Sequence, residues 1–171
     1  MDITSVHTLV DNTHNTATTV DADRAVLTKG LADCHSLTSW VEAQRLAIVT
    51  ALNRRSDSCP QNDVATASRT SLREGQKVNN RAKAAGAMPE LGDALAQGDI
   101  NTGHLDTAAA TLGKATPEQR LQLEQGSARW AIAASNMSNG EFAKFTDREL
   151  RAVQTVEDLS LIHISEPTRP Y

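Results

Sequence analysis

Apolar and polar residues along this chain repeat with a period near 3.6 rather than 2, and from Asp21 onward the pattern predicts successive helices. Asp21 or Asp23 can cap a first helix through "ADRAVLTKGLAD", with Gly30 as its weak point. In "SLTSWVEAQRLAIVTALNRR", Leu37, Val41, Ile48 and Leu52 fall near one face with Trp40 and Ala47, which predicts a long amphipathic helix. Its last turn carries Arg54 and Arg55, where the helix dipole favours cations. The following "SDSCPQNDVATAS" is rich in turn residues and holds Pro60, so it reads as a linker.

Three later helices open on capping boxes, in which a hydroxyl takes an orphan N–H and a Glu or Gln reaches back to the cap residue. They are Ser71 with Glu74, Thr116 with Gln119, and Ser138 with Glu141. Pro117 sits in the first turn of the second, where a proline costs least. Between the first two boxes lie two short helices. "PELGDALAQG" runs from Pro89 to a stop at Gly98, and "NTGHLDTAAATLG" runs from a cap at Asn101 or Thr102 to a stop at Gly113. No run holds period two long enough for a strand. The pattern therefore predicts an all-α, multi-helix chain of about six or seven helices, with a flexible leader over 1–20, a helical domain over 21–158 and a separate tail over 159–171.

Composition narrows the picture. Hydrophobic residues make up 39% of the chain but aromatics only 3%, so the core must be thin and built largely from alanine-sized side chains. No stretch approaches the roughly 20 apolar residues that span a bilayer, which argues against a membrane partner. The N-terminus lacks the basic and apolar regions of a signal peptide, and a cytoplasmic location follows as the expectation. Cys34 and Cys59 have no Cys or His at zinc-ligand spacing, so they read as buried free thiols.

Charge is uneven. Residues 1–67 carry −3 and residues 84–158 carry −5, whereas the short segment 68–83 carries +4 from Arg69, Arg73, Lys77, Arg81 and Lys83 against Glu74. Four of those cations recur every four residues, a slowly turning stripe along one helix side. Such a stripe in an acidic protein either tracks phosphates or forms a solvated helix face.

The run from Ser68 to Leu112 resembles the bacterial family called domain of unknown function 222, also known through 13E12-repeat proteins. The matching residues are Ser71, Arg73, the pair Met88-Pro89, Ala94-Leu95, Gly98, Ile100 and His104, with Met88 in place of a commoner leucine. The likeness extends from the Trp40 helix to about Asp158. The same run looks like the helix-turn-helix region of chromosome-partition ParB proteins, through Gly98, Ile100, Gly103 and His104. Together these place a helix-turn-helix-like region near residues 71–113. The pattern has a physical sense: Gly98 reverses the chain, Ile100 drops into the core, and the next helix opens at a turn where Thr102 can meet a phosphate. His104, one turn into that helix, has no carboxylate or second His placed to make it a base, so it is expected to bond neighbouring backbone. Trp40 and Trp130 fall on apolar faces and are expected to pack.

Members of the resembled family commonly carry an HNH nuclease domain after the helical region. No Cys-pair and His-rich signature of that kind follows Asp158. Instead the chain runs into "LSLIHISEPTRPY". Back-translated, the eleven residues from Leu159 to Arg169 fit, in one frame, a transposon-end adaptor used in preparing sequencing libraries. The tail is then foreign, His163 and Glu166 belong to no site, and the natural protein is expected to continue past Asp158. The resemblance implies a DNA-associated helical module of an HNH endonuclease-like protein, with Arg69, Arg73, Lys77, Arg81, Lys83 and Thr102 on nucleic acid. The alternative is a helical protein-interaction or oligomerisation module, with self-association as its partner mode. No catalytic residue, small-molecule substrate or cofactor is expected in this chain, and a divalent metal only in the missing nuclease domain.

Overall fold

Side-chain caps nucleate most of the helices in the computed structural model, which describes the backbone of residues 1–164 and the side chains as far as Thr155. Asp2 accepts from the Ser5 N–H at 2.8 Å and Asp23 from the Val26 N–H at 2.9 Å. They open α1 (Ile3–Thr18) and α2 (Arg24–Asn53). The chain continues through α3 (Pro60–Ala67), α4 (Leu72–Ala87), α5 (Pro89–Gln97), α6 (Thr102–Lys114), α7 (Pro117–Glu124), α8 (Ser127–Asn136) and α9 (Asn139–Ile164). Among the described residues no strand forms, and the protein is an all-α, multi-helix domain.

The two downstream capping boxes are made in full. Thr116 and Gln119 exchange bonds of 3.2 and 3.0 Å, and Ser138 and Glu141 do so at 3.4 and 2.9 Å. Ser71 accepts the Glu74 N–H at 3.2 Å, but the Glu74 carboxylate turns toward Arg81 instead of closing the box. Gly98 takes φ +86°, the left-handed conformation that favours glycine, and ends α5 as expected.

Helices α2, α4, α5, α6, α8 and α9 surround the core. Val78, Met88, Leu91, Leu95, Ile100, Leu105, Trp130 and Phe142 are all essentially inaccessible. The few aromatic rings are pooled at one point: Phe142 meets Trp130 edge-on at 5.9 Å, His104 edge-on at 5.4 Å and Phe145 in a stack at 5.9 Å. The alanine-rich helices elsewhere pack by close approach. At Gly75 a Cβ atom would stand 2.1 Å from the Gln61 carbonyl oxygen, so α3 and α4 touch backbone to backbone.

Four expectations need correction. The 1–20 leader is not loose: α1 packs along α2 and buries Val6, and Gly30 is the point of closest approach, with an added Cβ 2.6 Å from Thr16 Cγ2. Gly30 is therefore a contact rather than a break, and the two helices expected before residue 55 are one. The expected linker holds α3, started by Pro60 at its first position. Cys34 is exposed and Cys59 partly so; among the described residues no helix covers the side of α2 that carries Cys34.

The buried face of α2 also differs from the expected one. Ser39, Leu46 and Val49 are buried, whereas Val41 and Ile48 are 55% and 64% exposed, Ala47 is exposed, and Leu37, Trp40 and Leu52 are half-buried. Helix α1 takes the Gly30–Asp33 side of α2, and α4 and α5 take the Ser39–Leu46–Val49 side, so the most apolar strip is left outward. Trp130, by contrast, packs fully as expected.

In the helix-turn-helix-like stretch the chain path is present, with Ile100 buried and its carbonyl held by Ser39 Oγ at 2.9 Å. Yet α6 lies between α4 and α9, and its exposed residues are Ala110, Gly113 and Lys114 at its far end. It cannot enter a groove as a reading helix. Helix α9 runs on through Leu159–Ile164, the first part of the adaptor-like tail, and Ser165–Tyr171, with Glu166, lies outside the described residues.

The close contact at Gly75 sets a test. Gly75→Ala should cost about 1–3 kcal/mol in urea unfolding, because the obstacle is backbone and cannot rotate away. Gly113→Ala, where an added Cβ meets nothing within 4 Å, should be neutral or stabilising in the same assay.

Candidate nucleic-acid interface

The basic segment runs from the residue that caps the end of α3 through most of α4, and tertiary packing divides its cations into two groups. Arg81 is turned inward, 7% exposed, and donates from Nε and Nη2 to the two carboxylate oxygens of Asp106 on α6 at 2.7 and 2.8 Å. Lys77 Nζ stands 3.2 Å from the same carboxylate, and Glu74 Oε1 lies 4.0 Å from Arg81 Nη1. The Asp106 bond raises the guanidinium pKa above its ordinary value; burial opposes this, while the charges of Asp106, Glu42 and Glu74 add to it. Arg81 is thus a structural clamp: it is 7% exposed and gives Nε and Nη2 to Asp106, so it stands apart from the outward cations of α4.

Arg69, Arg73 and Lys83 form the second group. All three are exposed, and no salt bridge ties them to a carboxylate among the described residues. On α4, Arg73, Gln76, Lys77, Asn80 and Lys83 fall within an arc of about 120° at 3.6 residues per turn. Gln76 Nε2 donates to Asn80 Oδ1 at 2.8 Å in the middle of that arc. Ser71, Arg73, Glu74, Gln76, Lys77 and Asn80 line a shallow cleft of about 700 Å³. Arg69 stands just before the helix with φ +52°, a conformation costly for a residue with a Cβ. It closes α3 there, with the Thr70 N–H bonded to the Ala65 carbonyl at 2.9 Å.

Thr102 does not join this face. Asn101 rather than Thr102 caps α6, accepting the Gly103 N–H at 2.8 Å. Thr102 itself is half-buried, and Asn139 sits over the turn, its Nδ2 only 2.6 Å from where a Gly103 Cβ would be. Asn101 and Asn139 thus crowd that helix end, and Thr102 stands apart from the α4 face. His104 completes the cap as a structural residue: Nδ1 accepts the Asn101 N–H at 3.3 Å, so the ring proton belongs on Nε2, 3.1 Å from the Met137 carbonyl.

Two further cation-lined clefts carry no pattern in the sequence. Arg120 lines a cleft of about 310 Å³ together with Lys83 and Asn80, although it lies on α7. Lys144, Arg148 and Arg151 on α9 line another of about 540 Å³, mixed with Glu141 and Asp147. Neither gives a charge signal in sequence, because acidic residues are interleaved with the cations. Among the described residues no group of three or more His, Cys, Asp or Glu side chains is placed to hold a metal ion, and no helix is long and apolar enough to cross a membrane.

Comparison with protein-family models, curated proteins and solved structures finds no match to this chain. The geometry of α4 therefore carries the functional argument.

Removing the clamp partner is the direct test of the division between cations. Asp106→Ala should cost about 2–4 kcal/mol, less than for a fully buried pair because Asp106 keeps 28% side-chain exposure. Chemical denaturation measures it, and a cost no larger than that of an ordinary surface substitution would contradict the clamp.

Proposed function

We propose that the chain is a helical module that associates with DNA through the outward face of α4. The observation that carries this reading is the exposure of Arg73 and Lys83 on the outward arc of α4, with Arg69 exposed just before the helix, in an otherwise acidic chain. Cations free of carboxylate partners retain their full field for phosphates, and each phosphate neutralised releases condensed counterions. Lys77, half-exposed beside Asp106, adds a weaker contribution. Gln76 and Asn80 between them offer amide groups to a backbone or base edge.

The resemblance to the domain of unknown function 222 family supports the wider reading that such a module accompanies an HNH endonuclease. Cleavage would then belong to a metal-bearing domain outside this chain. The described residues contain no cluster to hold that metal, so no chemical step is assigned to them.

Electrophoretic mobility shift with a mixed-sequence duplex tests the reading. Arg73→Ala with Lys83→Ala should weaken binding several-fold and flatten the dependence of log K on log salt by about 2, one for each phosphate that is no longer neutralised. Thr102→Ala should leave both unchanged. Absence of binding to any duplex at low salt would end the proposal.

Arg69 gives an independent measure. Arg69→Gly should raise stability by about 1 kcal/mol, by relieving the left-handed backbone, while weakening DNA binding. Loss of stability instead would show that the arginine side chain holds the fold.

A further inference from the structure

The outward strip of α2 presents a second surface, independent of the nucleic-acid face. Leu27 is 47% exposed, Leu31 71%, Val41 55% and Ile48 64%. Cys34 and Thr38 lie between them, and Leu52 at the end is half-buried. These positions, with Arg45, run 27, 31, 34, 38, 41, 45, 48 and 52, in alternating steps of four and three. That is the 3.5-residue repeat of a seam between two supercoiled helices, not the 3.6-residue repeat of a face packed on a globular core. The core of the chain takes other sides of α2, and Leu27, Leu31, Cys34, Thr38, Val41 and Ile48 stay exposed, with only Arg45 and Leu52 half-buried in the strip.

We propose that this seam docks against the same seam of a second copy of the chain, the two α2 helices running antiparallel. Steps of four and three read the same in either direction, so the strip is complementary to its own reverse. In the register that sets Leu31 against Ile48 of the copy, Leu27 meets Leu52 and Thr38 meets Val41, each twice by symmetry. Arg45 is the one charge in the seam, and it is turned aside to Glu42 at 3.4 Å and Ser68 at 2.9 Å. In this register Arg45 faces Cys34 of the copy, so within the strip no like charges are opposed.

The area is sufficient for a reversible dimer. Leu27 to Leu52 spans about 38 Å, and a strip one helix wide over that length offers roughly 400–600 Å² per copy. Doubled across a two-fold axis, this reaches the roughly 1,000 Å² at which specific interfaces begin.

Sedimentation velocity on the full chain, from about 5 to 300 µM, tests the proposal. A concentration-dependent dimer is expected. Val41→Glu and Ile48→Glu should each weaken it at least about tenfold with the helical circular dichroism unchanged, since both side chains already face water. Ile132→Glu, on α8 and 67% exposed, should leave it intact. The register is read by oxidative cross-linking of Leu31→Cys with Ile48→Cys on a Cys34→Ser, Cys59→Ser background. The two new thiols lie about 26 Å apart on one rigid helix and can bond only between copies. A covalent dimer of the double variant, with neither single variant cross-linking, supports the antiparallel seam. A monomer at all concentrations, a dimer that survives both glutamate substitutions, or a dimer cross-linked by Leu31→Cys alone would overturn it.

Discussion

Arg81 and Asp106 hold α4 against α6 through two parallel N–H···O bonds of 2.7 and 2.8 Å, and much else in the molecule follows from that pair. A bidentate guanidinium–carboxylate contact fixes both distance and rotation, where an apolar contact would fix only distance. With α4 set in that rotation, Val78 and Ala82 face the core, and Arg73, Gln76, Asn80 and Lys83 face water. Helix α6 lies between α4 and α9, and its side chains are buried or half-buried except at its far end. The helix whose opening turn the sequence offers to a phosphate is a structural strut, and its neighbour α4 is the helix left with a polar, basic surface.

The clamp matters more here than in a protein with a richer core. With aromatics at 3% of the chain, large apolar surfaces are scarce, and they are concentrated where α8 and α9 bring Trp130, Phe142 and Phe145 together under His104. Elsewhere stability comes from small residues that let helices approach closely, as at Gly75 and Gly30, and from caps that satisfy helix ends. Close backbone approach tolerates little change in volume, whereas caps are local and survive movement of the helices they begin. The module is thus built from well-terminated helices held in register by a few specific contacts.

Helix α2 shows the reverse balance. Its apolar residues exceed what the interior accepts, and the core selects Ser39, Leu46 and Val49 while Leu31, Val41 and Ile48 remain outside. Helix α1, from a stretch with weak apolar character, takes up only the Gly30–Asp33 side. An amphipathic pattern states that a face will be buried; it does not state whether the same chain will bury it. That distinction gives the exposed seam its meaning as a docking face.

Much of this is legible from residues alone where the physics is local. The all-α class, the boxes at Thr116 and Ser138, the left-handed stop at Gly98 and the structural roles of His104 and Trp130 depend on neighbours within a few residues or on simple apolarity. Helix α1 is hidden in the sequence because its cap at Asp2 is strong but its apolar signal is weak, and it gains order only against α2. What the chain could not show in one dimension was which side of each helix would find a partner. Arg73 and Arg81 carry the same charge eight residues apart on one helix, and only the position of Asp106, 25 residues beyond Arg81, made one a clamp and left the other free. Rotation about a helix axis is set by contacts distant in sequence, so periodicity determined the helices and tertiary packing decided their faces.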